Sequence, residues 1–140
     1  MKKLIFLLPL LILFAGCLKT DRKEYDPPMA IFGTFSGKFT RTNTDPVTSA
    51  KNVTTANIQF TMATTGFTIT SDDATVHANG SGEFLGDEVS ISFDDPNYPA
   101  TGPVPQAYLY GNYAYTFNGT DLKLTRAAAN DLLEYVLVKN

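Results

Sequence analysis

From Ala30 onward the chain alternates apolar and polar residues with a period of two, the repeat of a half-buried strand rather than that of a helix. Phe35 and Phe39 are set among Thr34, Ser36, Lys38 and Thr40. Beyond a polar loop containing Asp45-Pro46, the residues Ala56, Ile58, Phe60 and Met62 alternate with Asn57, Gln59 and Thr61. A turn is expected at Thr65-Gly66, after which Phe67 and Ile69 alternate with Thr68 and Thr70. His77 to Gly82 reads as a flexible stretch leading into Phe84, and Gly86-Asp87 as the turn that opens Val89, Ile91 and Phe93, spaced by Ser90 and Ser92. Gln106 to Phe117 carries a dense tyrosine array, and Asn118-Gly119 is a strong hairpin signal. Leu122 and Leu124 then alternate with Lys123 and Thr125. The last segment, Leu132 to Lys139, is more apolar on both faces, and Tyr135, Val136 and Val138 tip it toward a strand.

These segments amount to eight or nine short strands with no long helix, and threonine is abundant at the outward positions, as suits a water-facing sheet. An open sheet of this size would leave one apolar face bare. A closed barrel or a sandwich covers it, and consecutive hairpins with short turns favour the antiparallel up-and-down barrel. The expected fold class is therefore all-β, an eight- to nine-stranded barrel over residues 30–140.

The first 29 residues follow other rules. Lys2 and Lys3 precede an apolar run from Leu4 to Ala15, broken only by Pro9. A helical span needs about 20 apolar residues, so the run is too short to cross a bilayer but suits the core of an export signal. It ends in Phe14-Ala15-Gly16-Cys17, which resembles the lipobox of bacterial lipoproteins, with Phe where that family usually has Leu. The resemblance implies cleavage before Cys17 and acylation of its sulfur. Two or more acyl chains anchor a protein stably, whereas one binds only marginally. Residues 1–16 are thus expected to be a lipoprotein signal peptide. Residues 17–29, polar and ending in Pro27-Pro28, are expected to be a lipid-anchored tether. Charges in the tether are those of ordinary solvated linker, or an address for sorting to the outer membrane.

Charge and composition narrow the function. Removing residues 1–16 takes two of the 11 basic residues and none of the 14 acidic ones, so the net charge moves from −3 to −5. No basic cluster remains in the folded part, which disfavours nucleic acid as a partner. Cys17 is the one cysteine, so its acylation leaves none for a disulfide. His77 is the one histidine, and zinc sites of the familiar kinds need more Cys and His ligands than this.

Four segments together resemble the small lipocalin-like lipoproteins of Gram-negative bacteria. They are Gly33-Thr34-Phe35-Ser36-Gly37-Lys38-Phe39, Gly80-Ser81-Gly82-Glu83-Phe84, Val89-Ser90-Ile91-Ser92-Phe93, and the run Tyr113-Ala114-Tyr115-Thr116-Phe117-Asn118-Gly119-Thr120-Asp121-Leu122-Lys123-Leu124-Thr125. The resemblance spans most of residues 30–140 and rests on the order of short elements. It implies an eight-stranded barrel and a place in the cell envelope, in the outer membrane. Gly33-Thr34-Phe35 falls where lipocalins carry Gly-x-Trp, with Phe in place of Trp, and the chain has no tryptophan.

Among candidate binding residues, Tyr108, Tyr110, Tyr113, Tyr115 and Phe117 stand out. In an unbroken strand Tyr113, Tyr115 and Phe117 share one face and Tyr108 and Tyr110 the other, with Gly111 placed to realign them by a bulge. Tyrosines in a barrel mouth give an apolar wall with a hydroxyl edge, suited to a lipid, an aromatic metabolite or a sugar face. The plainer alternative is that they fill the barrel. The acidic pairs Asp72-Asp73, Asp87-Glu88 and Asp94-Asp95 are either turn formers or, before Pro96-Asn97, an oxygen-rich calcium loop. No spacing marks a carboxylate pair for glycoside hydrolysis. His77 has no Gly-x-Ser-x-Gly nucleophile to serve and is expected at the surface of a loop. The Asn-x-Ser/Thr triplets at Asn52, Asn79 and Asn118 read as turn and strand chemistry.

The expectation is a non-enzymatic binding module without cofactor, held to the bilayer through Cys17. Its ligand would be a small apolar or amphipathic molecule in a cavity lined by some of Phe35, Phe60, Tyr113, Tyr115 and Phe117. The rival is a filled barrel that docks on an envelope protein, with the loop Pro96 to Pro105 as the working surface.

Overall fold

A computed structural model describes residues 31–101 and 104–140. The expected signal peptide, Cys17 and the tether lie outside the described residues. Eight strands form in order: β1 (Gly33–Thr44), β2 (Lys51–Ala63), β3 (Gly66–Ser71), β4 (Gly80–Gly86), β5 (Ser90–Asp94), β6 (Gly111–Phe117), β7 (Asp121–Ala128) and β8 (Asp131–Lys139). Each pairs antiparallel with the next, and β8 returns to pair with β1, so the sheet closes as the expected up-and-down barrel. No helix occurs among the described residues.

Register decides what faces inward. Phe35 lies opposite Phe60 on one side and Lys139 on the other, and Phe39 opposite Ala56 and Tyr135. Because side chains alternate across a strand, this register turns Phe35, Phe39, Phe60, Ile69, Phe93, Tyr113, Leu124 and Tyr135 inward, and all are buried. Their polar neighbours, such as Ser36, Lys38, Asn57 and Gln59, stay on the outside. Fully burying a phenylalanine or leucine is worth roughly 2 kcal/mol relative to leaving it exposed. With no disulfide among the described residues, this packing and the ladder hydrogen bonds carry the fold.

The interior is full. Phe35 meets Phe60 at 6.3 Å and Phe117 at 6.0 Å between ring centroids, and Phe60 meets Phe93 at 6.0 Å. Phe93 reaches Tyr113 at 5.8 Å, Tyr113 reaches Tyr135 at 5.7 Å, and Tyr135 reaches Phe39 at 4.9 Å. Most of these contacts are edge-to-face or tilted, as aromatic quadrupoles prefer. The cavity expected among Phe35, Phe60, Tyr113, Tyr115 and Phe117 is replaced by this ladder: eight strands enclose only enough space for their own side chains when those are this large.

One local expectation is also corrected. The stretch through Gly80 and Gly82 is not a flexible connection but the first half of β4, paired with β3 through Gly82↔Phe67 and Gly80↔Ile69. A side chain at Gly80 would collide with the Asp95 carboxylate, and one at Gly82 with the Asp94 carbonyl. The glycines there mark close backbone approach inside a strand.

The two ends differ. Residues 31–32, Asn140 and the tight turns 64–65, 87–89 and 118–120 share one end. The other end carries the β1–β2 and β7–β8 turns and two long connections, 72–79 and 95–110.

Candidate functional site

The two long connections fold over their end of the barrel and join. Ala107 donates its N–H to the Val76 carbonyl at 2.9 Å, and Ala78 donates to the Ala107 carbonyl at 2.8 Å, making a short parallel bridge of His77 with Ala107. Asp73 shapes the first connection: its carboxylate accepts from the Thr75 N–H and hydroxyl, and its carbonyl accepts from the N–H groups of Val76 and His77. That turn drives His77 inward. Leu109 and Ala107 from the second connection complete the cap and are buried.

His77, expected at the surface, is fully buried. Its ring lies against Phe39 at 4.8 Å. Nδ1 is 2.6 Å from the Ala78 carbonyl, which can only accept, so Nδ1 carries the proton. Nε2 is then an acceptor, and the Tyr135 hydroxyl donates to it at 2.7 Å. Burial pushes the imidazole pKa down from 6.5 to about 4, against the opposing pull of the Ala78 carbonyl and the Asp95 charge. Burial likewise raises the Tyr113 and Tyr135 phenols above their ordinary range. At neutral pH the three groups are uncharged, and both His77 nitrogens are spent on internal partners. Chemically they are a latch that fixes the cap, closed to a substrate arriving from solvent.

Two charged groups flank the latch. Asp95 is buried; its Oδ1 accepts from the Asn97 backbone and side-chain nitrogens at 2.9 and 3.1 Å, while Oδ2 has no partner within the protein. Arg126 donates to the Tyr110 carbonyl and sits 5.8 Å above the Tyr113 ring. Gly111 adopts φ +87°, and a Cβ there would meet the Arg126 guanidinium at 3.1 Å. This left-handed residue breaks the line of the tyrosine array.

The array is therefore divided among three places. Tyr113 is in the core. Tyr115 and Phe117 follow on the same face of β6 toward the opposite end, where the Tyr115 hydroxyl donates to the Asp87 carbonyl at 2.9 Å and Phe117 packs on Phe35. Tyr108 and Tyr110 precede the strand, outside the barrel and half-buried. There they meet Tyr98, which stacks parallel on Tyr110 at 4.1 Å and edge-on to Tyr108 at 5.7 Å. Gln106 donates to the Tyr108 hydroxyl at 3.0 Å. The outcome is a half-exposed aromatic cluster on the connection that includes Pro96 to Pro105.

A polar groove of about 390 Å³ runs between the cap and the β1–β2 hairpin, lined by Arg41, Asn43, Asn52, Thr54, Thr75, Val76, Val104 and Pro105. Arg41 is bonded to Asp131 at 2.8 and 3.2 Å and to the Pro105 carbonyl at 3.1 Å. A wider and more open groove of about 910 Å³ lies on the outer face of β8, β1, β2 and β3, where Lys38, Gln59 and Asp72 stand. One member of each acidic pair shapes a local turn, Asp73 accepting from Thr75, Asp87 from Val89 and Ser90, and Asp95 from Asn97, whereas Asp72 reaches across to Asn57 of β2. Among the described residues no three His, Cys, Asp or Glu side chains gather to hold a metal.

Sequence reading placed His77 at a loop surface, took Asp95 for a turn or calcium-loop residue and Tyr135 for a strand residue, and did not single out Arg126 or Tyr98. The one usable signal was local: His77 stands between Val76 and Ala78, an apolar setting more typical of a buried position than of a loop tip. In comparisons with known proteins, no family model, no curated protein and no solved structure matches the chain.

Proposed function

We propose that the protein is a lipid-anchored, non-enzymatic binding module of the Gram-negative cell envelope, a lipocalin-like barrel that docks on a protein partner through its capped end. The observation that carries this is the filled interior: with Phe35, Phe60, Phe93, Tyr113 and Tyr135 each touching the next across it, recognition falls to the outer surface. The capped end offers an amphipathic aromatic cluster, Tyr98, Tyr108 and Tyr110, on a frame held by the His77–Tyr135 latch. Half-exposed tyrosines are enriched in protein interfaces because they combine apolar area with a hydroxyl. Anchoring is supported by the run Phe14-Ala15-Gly16-Cys17 after an apolar leader.

The test is crosslinking in intact cells, with the acylated protein carrying either its own residues or Tyr98→Ser and Tyr110→Ser. Loss of a specific crosslinked species, with the circular-dichroism spectrum and melting temperature kept, supports docking through this end. An unchanged crosslink pattern refutes it. The stacked pair Tyr98 and Tyr110 also favours a second reading, a small aromatic or amphipathic ligand laid on the exposed ring edges. Tyrosine fluorescence titrations with such ligands would separate that reading from the first.

A further inference from the structure

The barrel is closed, but β2 outruns one of its two neighbours. It pairs with β1 without a break from Gly33↔Met62 to Thr44↔Lys51, whereas its pairing with β3 begins only at Ile58↔Ser71. The last bonds on the β3 side belong to Asn57. Its N–H donates to the Asp72 carboxylate at 2.8 Å, and its carbonyl accepts from the Asp72 N–H at 3.1 Å. From there the chain leaves along the connection 72–79. Backbone groups alternate in direction along an antiparallel strand, so Val53 and Thr55 turn their N–H and C=O groups the same way as Asn57. Among the described residues no strand, loop or side chain bonds to them there. Other strands are one-sided for less: β4 over 83–86, held by β5 alone, and β7 over 126–128, held by β8 alone. A bare edge templates a further strand, and proteins usually blunt one with proline or a bulge. Neither interrupts residues 51–56, and Val53-Thr54-Thr55 is β-branched throughout.

We infer that this edge takes a second copy of the same chain, the two β2 edges pairing antiparallel about a two-fold axis at Thr54. Residues whose backbone groups face the edge must meet one another. Val53 therefore lies opposite Thr55 of the second copy, and Lys51 opposite its Asn57. The charges choose the occupant. Lys51 is the one charged residue on the free edge, and Asp72 marks its other limit, where Asn57 Nδ2 donates to it at 2.6 Å. Two-fold pairing brings the Lys51 of each copy to the Asp72 of the other, with neutral side chains between. The edge lies across the barrel from β6 and the tyrosine cluster before it, so the pairing leaves that cluster uncovered. A contact of this size is smaller than a standard protein interface, so it is reversible and best trapped covalently.

The register supplies the trap. The Thr54 pair on the axis is not hydrogen-bonded, which sets its Cα atoms about 4.5 Å apart, within reach of a disulfide. Asn52 stands well away from its own counterpart. Under mild oxidation the purified full chain carrying Thr54→Cys should give roughly tenfold more disulfide-linked dimer than Asn52→Cys. The unsubstituted chain, with Cys17 alone, sets the background. Adding Val53→Pro removes an N–H that faces the edge and none that bonds β1, so the dimer should vanish with the melting temperature kept. Lys51→Glu, at an exposed side chain, should lower the yield of dimer severalfold. Equal crosslinking at positions 52 and 54, or a Thr54→Cys dimer that survives Val53→Pro, overturns the pairing. Where Val53→Pro unfolds the barrel, Lys51→Glu decides instead, and an undiminished yield overturns it. In intact cells, a mixed disulfide of Thr54→Cys with a different protein and none with its own copy gives the edge to another strand, and overturns it too.

Discussion

His77 folds as a neutral imidazole between the Ala78 carbonyl and the Tyr135 hydroxyl, and that costs the protein stability in acid. The unfolded chain takes up its proton near pH 6.5, whereas the folded one resists until about 4. Stability is therefore full above about pH 6.5 and falls as pH drops toward 4, by up to about 3 kcal/mol. The carboxyls of Asp45, Asp73, Asp87 and Asp131 are all held below their ordinary range, and their contribution is lost mainly below about pH 4. Urea melts between pH 4.5 and 7 should thus show a slope that His77→Gln removes. A second residue-scale expectation concerns Ala129, which takes φ +49° in the β7–β8 turn. A left-handed alanine costs roughly 1 kcal/mol, so Ala129→Gly should raise the melting temperature by a few degrees. Neither position was settled by sequence, where the apolar flanks Val76 and Ala78 give His77 no more than a hint of burial. Burial of His77 depends on Ala107, 30 residues away, and nothing local to Ala129 marks it as left-handed, because glycine or asparagine normally would.

At the level of elements, alternation was a sufficient guide wherever a strand has one wet face. β2, β3, β5 and β7 were readable because Ile58, Phe60, Ile69, Ile91 and Leu124 face inward between polar neighbours that face out. β4 was not, because its inward positions Gly80 and Gly82 are glycines fitted against Asp95 and Asp94, and glycine carries no alternation signal. The tyrosine run misled in the opposite sense. It is a strand only from Gly111, and the residues before it belong to the cap, so Tyr108 and Tyr110 never share a sheet with Tyr113. The cap is nonetheless an ordered element. The amide protons of Ala78 and Ala107, bonded across it, should exchange with solvent far more slowly than those of the β1–β2 turn, measurable by NMR. Gly111→Ala should cost more than about 1 kcal/mol, since it must hold a positive φ against the Arg126 guanidinium.

For the whole molecule the deciding quantity is space. Sequence pattern points to a closed barrel but not to its contents, since the same inward residues can line a cavity or meet in the middle. Here they meet. Phe60 touches Phe35, Phe67 and Phe93, and truncating it should cost about 3–5 kcal/mol and leave a dry void. Benzene should then raise the melting temperature of Phe60→Ala while leaving the wild-type protein unchanged. Equal stabilisation of both by benzene would show that the wild-type interior holds room after all.

The meeting of β1 and β8 has one more consequence. Asn140 donates its N–H to the Thr34 carbonyl at 2.9 Å and its side-chain oxygen accepts from Ser36 at 2.7 Å, so the two ends of the folded chain lie side by side. Over the barrel, residues 31–140, the backbone is spatially a ring cut at one point, and the cut need not fall there. A short glycine linker joining Asn140 to Ile31, with new termini opened at Asn118-Gly119, should give a circular permutant with the same barrel. In such a permutant a fused reporter would begin from a turn of the experimenter's choosing.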